Sequence, residues 1–204
     1  RLAEAIAKLP ELETHIRWQP FELFPRIPVA GVDRHSQMAN VFGSAQRRDT
    51  IFAQVAEAGR REGLDLRFDT IPVSPNTFPL HRLLWKAGQA SAHVQDELAQ
   101  ALFSAFFTQN QDLSQLGTLI ELLRPFGWSA DKTLQFLATD EGAIEVRAQQ
   151  RHYRFRGITS VPTYLFNNQF VLVGAQPSEQ FSRAIARAAA QAPVPGDALP
   201  SPTN

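Results

Sequence analysis

Five histidines and no cysteine bound the chemistry open to this chain. His15, His35, His81, His93 and His152 show no metal-ligating spacing such as His-Glu-x-x-His. Without a thiol, residues 1–204 hold no disulfide framework, no thiolate metal site and no redox pair. No phosphate-binding glycine loop and no Gly-x-Ser-x-Gly nucleophile elbow occurs. Four smaller groupings remain.

The first is Ser160, Val161 and Pro162, ahead of a β-branched and aromatic run. A proline there costs a strand ladder nothing, and an X-Pro bond is one of the few places where a cis peptide is affordable. The plain reading is a strand-edge proline. The functional one is a backbone edge at Val161 that pairs with an extended peptide without regard to its side chains. The second is Ala175 and Gln176, just before the last helix. Their N–H groups suit a carboxylate at a helix start, and ordinary helix entry explains them equally well. The third is Asn76 and Thr77, with His81 one turn on. Helix capping accounts for the first two and packing for the third. The fourth is Arg147, Arg151 and Arg154 along one helix side, a solvated face or a basic rim able to favour a thiolate.

The elements that must position these groups follow from periodicity. Leu2, Ile6 and Leu9 form a helical stripe that Pro10 ends, and residues 14–18 alternate as a strand with Ile16 and Trp18 on one face. Asp33 caps a helix through Met38 and Phe42. A longer helix over 45–62 turns Phe52, Val55 and Ala56 inward until Gly63 stops it. A helix from 76 or 77 carries Leu80, Leu83, Leu84 and Ala87 inward and ends at Gly88. The clearest amphipathic stretch is 92–107, where Phe103, Phe106 and Phe107 read as core. Helices then follow from Ser114, Ser129 and Asp140, the last ending at Gly157. Thr163 to Phe166 and Phe170 to Val173 form a hairpin, because Asn167 and Asn168 both tolerate the positive φ of a type I′ turn. Pro177 starts a final helix with Phe181 and Ile185 inward, and the tail from Pro193 reads as frayed. Strands thus sit near both ends, with roughly 120 residues of helix between them.

Gly157-Ile158-Thr159-Ser160-Val161-Pro162-Thr163, the hairpin and Gly174-Ala175-Gln176-Pro177 resemble the C-terminal half of a DsbA-type thioredoxin domain. Trp18-Gln19-Pro20-Phe21-Glu22-Leu23, Val55-Ala56-Glu57-Ala58-Gly59 and Pro75-Asn76-Thr77 followed by His81-Arg82 extend the likeness over nearly the whole chain, most closely to the FrnE-like branch of predicted dithiol-disulfide isomerases. The resemblance implies an α/β thioredoxin fold interrupted by a large all-helical insertion. Residues 1–32 and 157–192 would form the thioredoxin part, 33–156 the insertion and 193–204 a tail. It implies that Pro162 is cis and that Ser160, Val161 and Pro162 line the cleft. It also implies a strand and a Cys-x-x-Cys ahead of the first helix, so that 14–18 and the hairpin would flank that strand without pairing to each other. Kappa-class glutathione transferases and chromene carboxylate isomerases are relatives. By that likeness Asn76, Thr77 and His81 face substrate, and Ala175 and Gln176 touch glutathione.

The resulting expectation is a cytoplasmic thiol–disulfide oxidoreductase or isomerase. Its partners would be thiol or disulfide peptides and proteins, or glutathione as co-substrate, with no cofactor otherwise. Alternatives are a glutathione-dependent isomerase or transferase and a redox-inactive thioredoxin-like binding protein. A homodimer is left open. Zero formal net charge gives no global attraction to nucleic acid or anionic lipid. No apolar run approaches the ~20 residues of a membrane span.

Overall fold

A computed structural model describes residues 1–191; the tail expected from Pro193 lies outside the described residues. The chain forms two compact units, one of residues 1–16 with the chain from Arg151 on, the other of residues 17–150.

In the first unit, helix α1 (Leu2–Ala7) packs with α9 (Ser178–Ala189) and one face of a two-stranded antiparallel sheet, β3 (Thr163–Phe166) and β4 (Phe170–Val173). Ala5, Phe181 and Ile185 are buried at the centre, with Tyr164, Phe166 and Leu172 packed on them. Strand alternation selects those three side chains: residues two apart share a face, so Tyr164 and Phe166 point together. Tyr164 meets the Phe181 ring edge-on at 4.7 Å. Asn167 and Asn168 have φ of 47° and 59°, and the Gln169 N–H donates to the Phe166 carbonyl at 2.9 Å. The register pairs Phe166 with Phe170, leaving Gln169 in the loop as a third residue beyond the expected two-residue turn. Asn167 also donates from Nδ2 to the Ala188 carbonyl (3.0 Å), tying the turn to the end of α9. Pro177 is the residue flanking α9 rather than its first helical residue.

The second unit is helical apart from one bridge pair, β1 (Val32–Asp33) with β2 (Val73–Ser74). Its helices are α2 (Arg34–Phe42), α3 (Ala45–Arg61), α4 (Phe78–Ala90), α5 (Ala92–Phe107), α6 (Leu116–Leu123) and α7 (Ala130–Ala138); α8 (Ala143–Phe155) leads on toward the hairpin. Side-chain caps start several of them. Asp33 accepts from the Ser36 N–H, Ser44 from Arg47, Ser91 from Val94 and Ser129 from Lys132. The core joins Ile71, Leu80, Leu83, Leu98, Leu102, Phe106, Leu119, Leu123 and Phe136.

Four expectations are corrected. Residues 14–18 form no strand. The Trp18 backbone is instead clamped by one side chain: Gln95 Oε1 accepts from its N–H (3.0 Å) and Gln95 Nε2 donates to its carbonyl (3.1 Å). That amide does for Trp18 what a neighbouring strand would do, while Ile16 is 37% exposed. Gly88 lies inside α4 rather than ending it, and Gln95 Nε2 packs where its Cβ would be, 2.8 Å away. Val55 is exposed, and the inward position one turn on is Gly59, packed closely by Leu66. Phe103 is half exposed and leans on Trp18 at 5.5 Å between ring centroids.

Candidate functional site

The groupings read from sequence fall in both units. Ser160, Val161, Pro162, Ala175 and Gln176 belong to the first; Asn76, Thr77 and His81 belong to the second.

In the first unit the hairpin brings the two ends of the motif together. The Gly174 N–H donates to the Pro162 carbonyl (2.8 Å), one step beyond the Thr163–Val173 pair. The Val161–Pro162 peptide is cis. The Gly174–Pro162 bond also sets the phase of the ladder. In an antiparallel pair, alternate residues turn their N–H and C=O toward the partner. Pro162, Tyr164 and Phe166 therefore face β4, and Thr163 and Leu165 direct their backbone groups outward. Among the described residues β3 pairs only with β4, so this edge is open. Val161 is 45% exposed, and its backbone has no hydrogen-bond partner among the described residues. The Thr163 hydroxyl donates to the Ser160 carbonyl (2.6 Å), which braces the bend at residues 160–162 just before the strand. Ala175 and Gln176 stand beside it. The Gln176 N–H is engaged by the Gly174 carbonyl (3.0 Å), and the Ala175 carbonyl accepts from Arg1 (2.6 Å), so Ala175 alone has a backbone N–H to offer. A carboxylate already sits by the start of α9: Glu4 hydrogen-bonds Lys8 and Ser178, which hold its pKa below the ordinary value.

In the second unit Asn76 caps α4. Its Oδ1 accepts from the Phe78 N–H (2.9 Å), while Nδ2 donates to the Ile27 carbonyl (2.7 Å) and ties down the loop that follows Phe21. Both polar atoms of Asn76 are thus bound within the protein. The Thr77 hydroxyl has no partner among the described residues. His81 packs as a neutral imidazole: burial pushes its pKa down to about 4, against the opposing effect of a hydrogen bond to the Phe21 backbone.

Sequence reasoning missed the charge pair next to it. Glu22 is 1% exposed, and Arg147 Nη1 donates to its Oε2 at 2.6 Å. The same guanidinium lies 3.7 Å over the Phe78 ring. Arg147 stays on an exposed helix side, its side chain 45% exposed, while its guanidinium reaches the buried Glu22 carboxylate. Glu22 and Arg147 are 125 residues apart, and only the presence of a glutamate in the Trp18–Leu23 motif hinted at a fixed role. Among the described residues no group of three or more His, Cys, Asp or Glu is placed to hold a metal ion. No helix among them is long and apolar enough to cross a membrane.

A family model for the DSBA-like thioredoxin domain matches residues 1–186. The chain belongs to that family. Among solved structures, the DSBA-like chain is similar to a probable DsbA oxidoreductase from Streptomyces coelicolor, at 25% identity and a TM-score of 0.83. The match covers 97% of this chain and 85% of that one. Comparison with curated proteins finds no match. The fold is accordingly the α/β thioredoxin fold of DsbA proteins with its helical insertion, and the family is one of thiol–disulfide oxidoreductases.

Proposed function

We propose that this DSBA-like chain supports thiol–disulfide exchange on polypeptides, as a dithiol–disulfide isomerase of the FrnE-like kind, with its dithiol supplied from outside residues 1–204. The observation that carries the reading is the β3 edge from Thr163 to Leu165, unpaired among the described residues, next to the 45% exposed Val161 in a chain of this family. Exchange needs a thiolate to attack one sulfur of a substrate disulfide. The S–S bond breaks, the other substrate sulfur leaves as a thiolate, and a second thiol resolves the mixed disulfide. Residues 1–204 contain no sulfur nucleophile, since their one methionine is a thioether. What they offer is position: backbone N–H and C=O groups at Val161, Thr163 and Leu165 for an extended chain, indifferent to its side chains. In this reading Ser160, Val161 and Pro162 line the cleft of the first unit with Ala175 and Gln176 beside them, and in the second unit Thr77 offers its hydroxyl to substrate with Asn76 and His81 as supports.

The absence of cysteine favours a second reading, a redox-inactive thioredoxin-like binder of polypeptides. Insulin reduction separates the two. Residues 1–204 alone are expected to show no activity. The gene's own upstream coding segment, joined to Arg1, is expected to carry Cys-x-x-Cys and to restore it. An upstream segment without cysteine, together with inactive full-length protein, overturns the redox reading and leaves the binder.

A further inference from the structure

In the second unit the chain between Pro20 and Val32 holds apolar side chains out into water. Three prolines, Pro20, Pro25 and Pro28, restrict its backbone. Short turns stiffen it further: the Ile27 N–H donates to the Phe24 carbonyl (3.3 Å) and the Gly31 N–H to the Pro28 carbonyl (2.9 Å). Asn76 fastens it at Ile27. Leu23, Phe24 and Val29 are nevertheless 51%, 39% and 77% exposed. Between this loop and α2 lies a cavity of about 300 Å³, walled by Leu23, Phe24, Pro25, Ile27 and Val32. A rigid apolar cup open to solvent is preorganised for a ligand, because little ordering entropy remains to be lost on binding.

Two polar groups complete the wall. Arg26 lines the cup and is exposed, and it has no ion-pair partner among the described residues. Gln37 lines it from α2, and its Oε1 is closed from solvent with no hydrogen-bond donor. An unmatched cation calls for a carboxylate, and an unmet acceptor calls for an N–H once the amide turns toward the cup. The apolar surface also runs on past the cavity. Val41, 49% exposed, stands one helical turn beyond Gln37 on the same side of α2. An occupant with an apolar side chain, an N–H and a neighbouring carboxylate, long enough to reach Val41, is an extended polypeptide.

We infer that this cup is a docking site for an extended polypeptide, taking an apolar side chain between Phe24 and Val32 with an acidic residue next to it on Arg26. The choice of a polypeptide rests on the thiol–disulfide reading above; the cup and its charge do not. The test uses fluorescein-labelled, cysteine-free hexapeptides blocked at both ends. The probe is Ser-Gly-Phe-Asp-Gly-Ser, with one control in which serine replaces the phenylalanine and one in which lysine replaces the aspartate. Fluorescence anisotropy with residues 1–204 is expected to rank the probe at least about tenfold above both controls. Arg26→Glu is expected to reverse the preference between the aspartate and lysine peptides, and Leu23→Ser to weaken the probe by about fivefold. Both side chains are exposed, so the unchanged tryptophan emission of the variants confirms their folding. Equal binding of probe and controls overturns the inference. So does an unaltered preference in Arg26→Glu, or self-association of the chain through this face without peptide binding. Because the peptides carry no sulfur, failure of the redox reading leaves this result untouched.

Discussion

Lowering the pH from 7 to 4 tests how His81 is held. Its folded pKa of about 4 lies below the ordinary imidazole value of 6.5, so the unfolded chain binds the proton more readily over that interval. Stability therefore rises with pH there. The contribution is fully present above about pH 6.5 and is lost as pH falls toward 4. A separation of about 2.5 units at 1.36 kcal/mol each sets an upper bound of about 3 kcal/mol for the loss. Burial is the dominant cause, opposed by the hydrogen bond to Phe21. His81→Gln keeps an N–H donor and removes the titrating ring. Urea unfolding followed by tryptophan emission is the assay, since Trp18, Trp85 and Trp128 all lie within residues 17–150. On going from pH 7 to 4 the wild type is expected to lose more stability than His81→Gln, by up to about 3 kcal/mol. Parallel pH profiles for the two proteins, or an NMR titration of the His81 ring near 6.5, would refute the reasoning.

Other substitutions test other parts of the structure. Arg147→Ala removes the ion-pair partner 2.6 Å from the buried Glu22 carboxylate and is expected to cost about 2 kcal/mol by urea unfolding, with Glu22→Gln in the same background recovering part of it. Gly142 has φ +77° and a Cβ there would lie 2.5 Å from the Trp85 ring, so Gly142→Ala is expected to cost about 2 kcal/mol and to shift tryptophan emission. Asn167→Ala loses both tolerance of φ 47° and the bond to Ala188, about 2 kcal/mol together, while Asn167→Gly loses mainly the bond, about 1 kcal/mol; equal effects would show that the backbone conformation contributes nothing.

Much of the architecture is legible in the sequence because its causes are local. Asp33 and Ser129 announce helix starts since a short side-chain oxygen reaches an N–H three residues on. Asn167 and Asn168 announce the hairpin since few other residues accept positive φ. The motif around Pro162 was visible through its resemblance to a known family, and the hairpin that follows it displays Thr163 and Leu165 along one edge. What stayed hidden depends on which distant residue arrives. The alternation at residues 14–18 has a strand's pattern, yet Gln95 satisfies the Trp18 backbone from 77 residues away. Gly88 reads as a helix stop until the same glutamine fills the space its missing Cβ leaves. Nothing near Glu22 in the sequence announces that its carboxylate is buried and paired with Arg147, 125 residues on. Local propensity acts through the backbone over three or four residues. Burial and charge pairing are set by chain segments that tertiary packing alone brings together, and no short-range pattern records them.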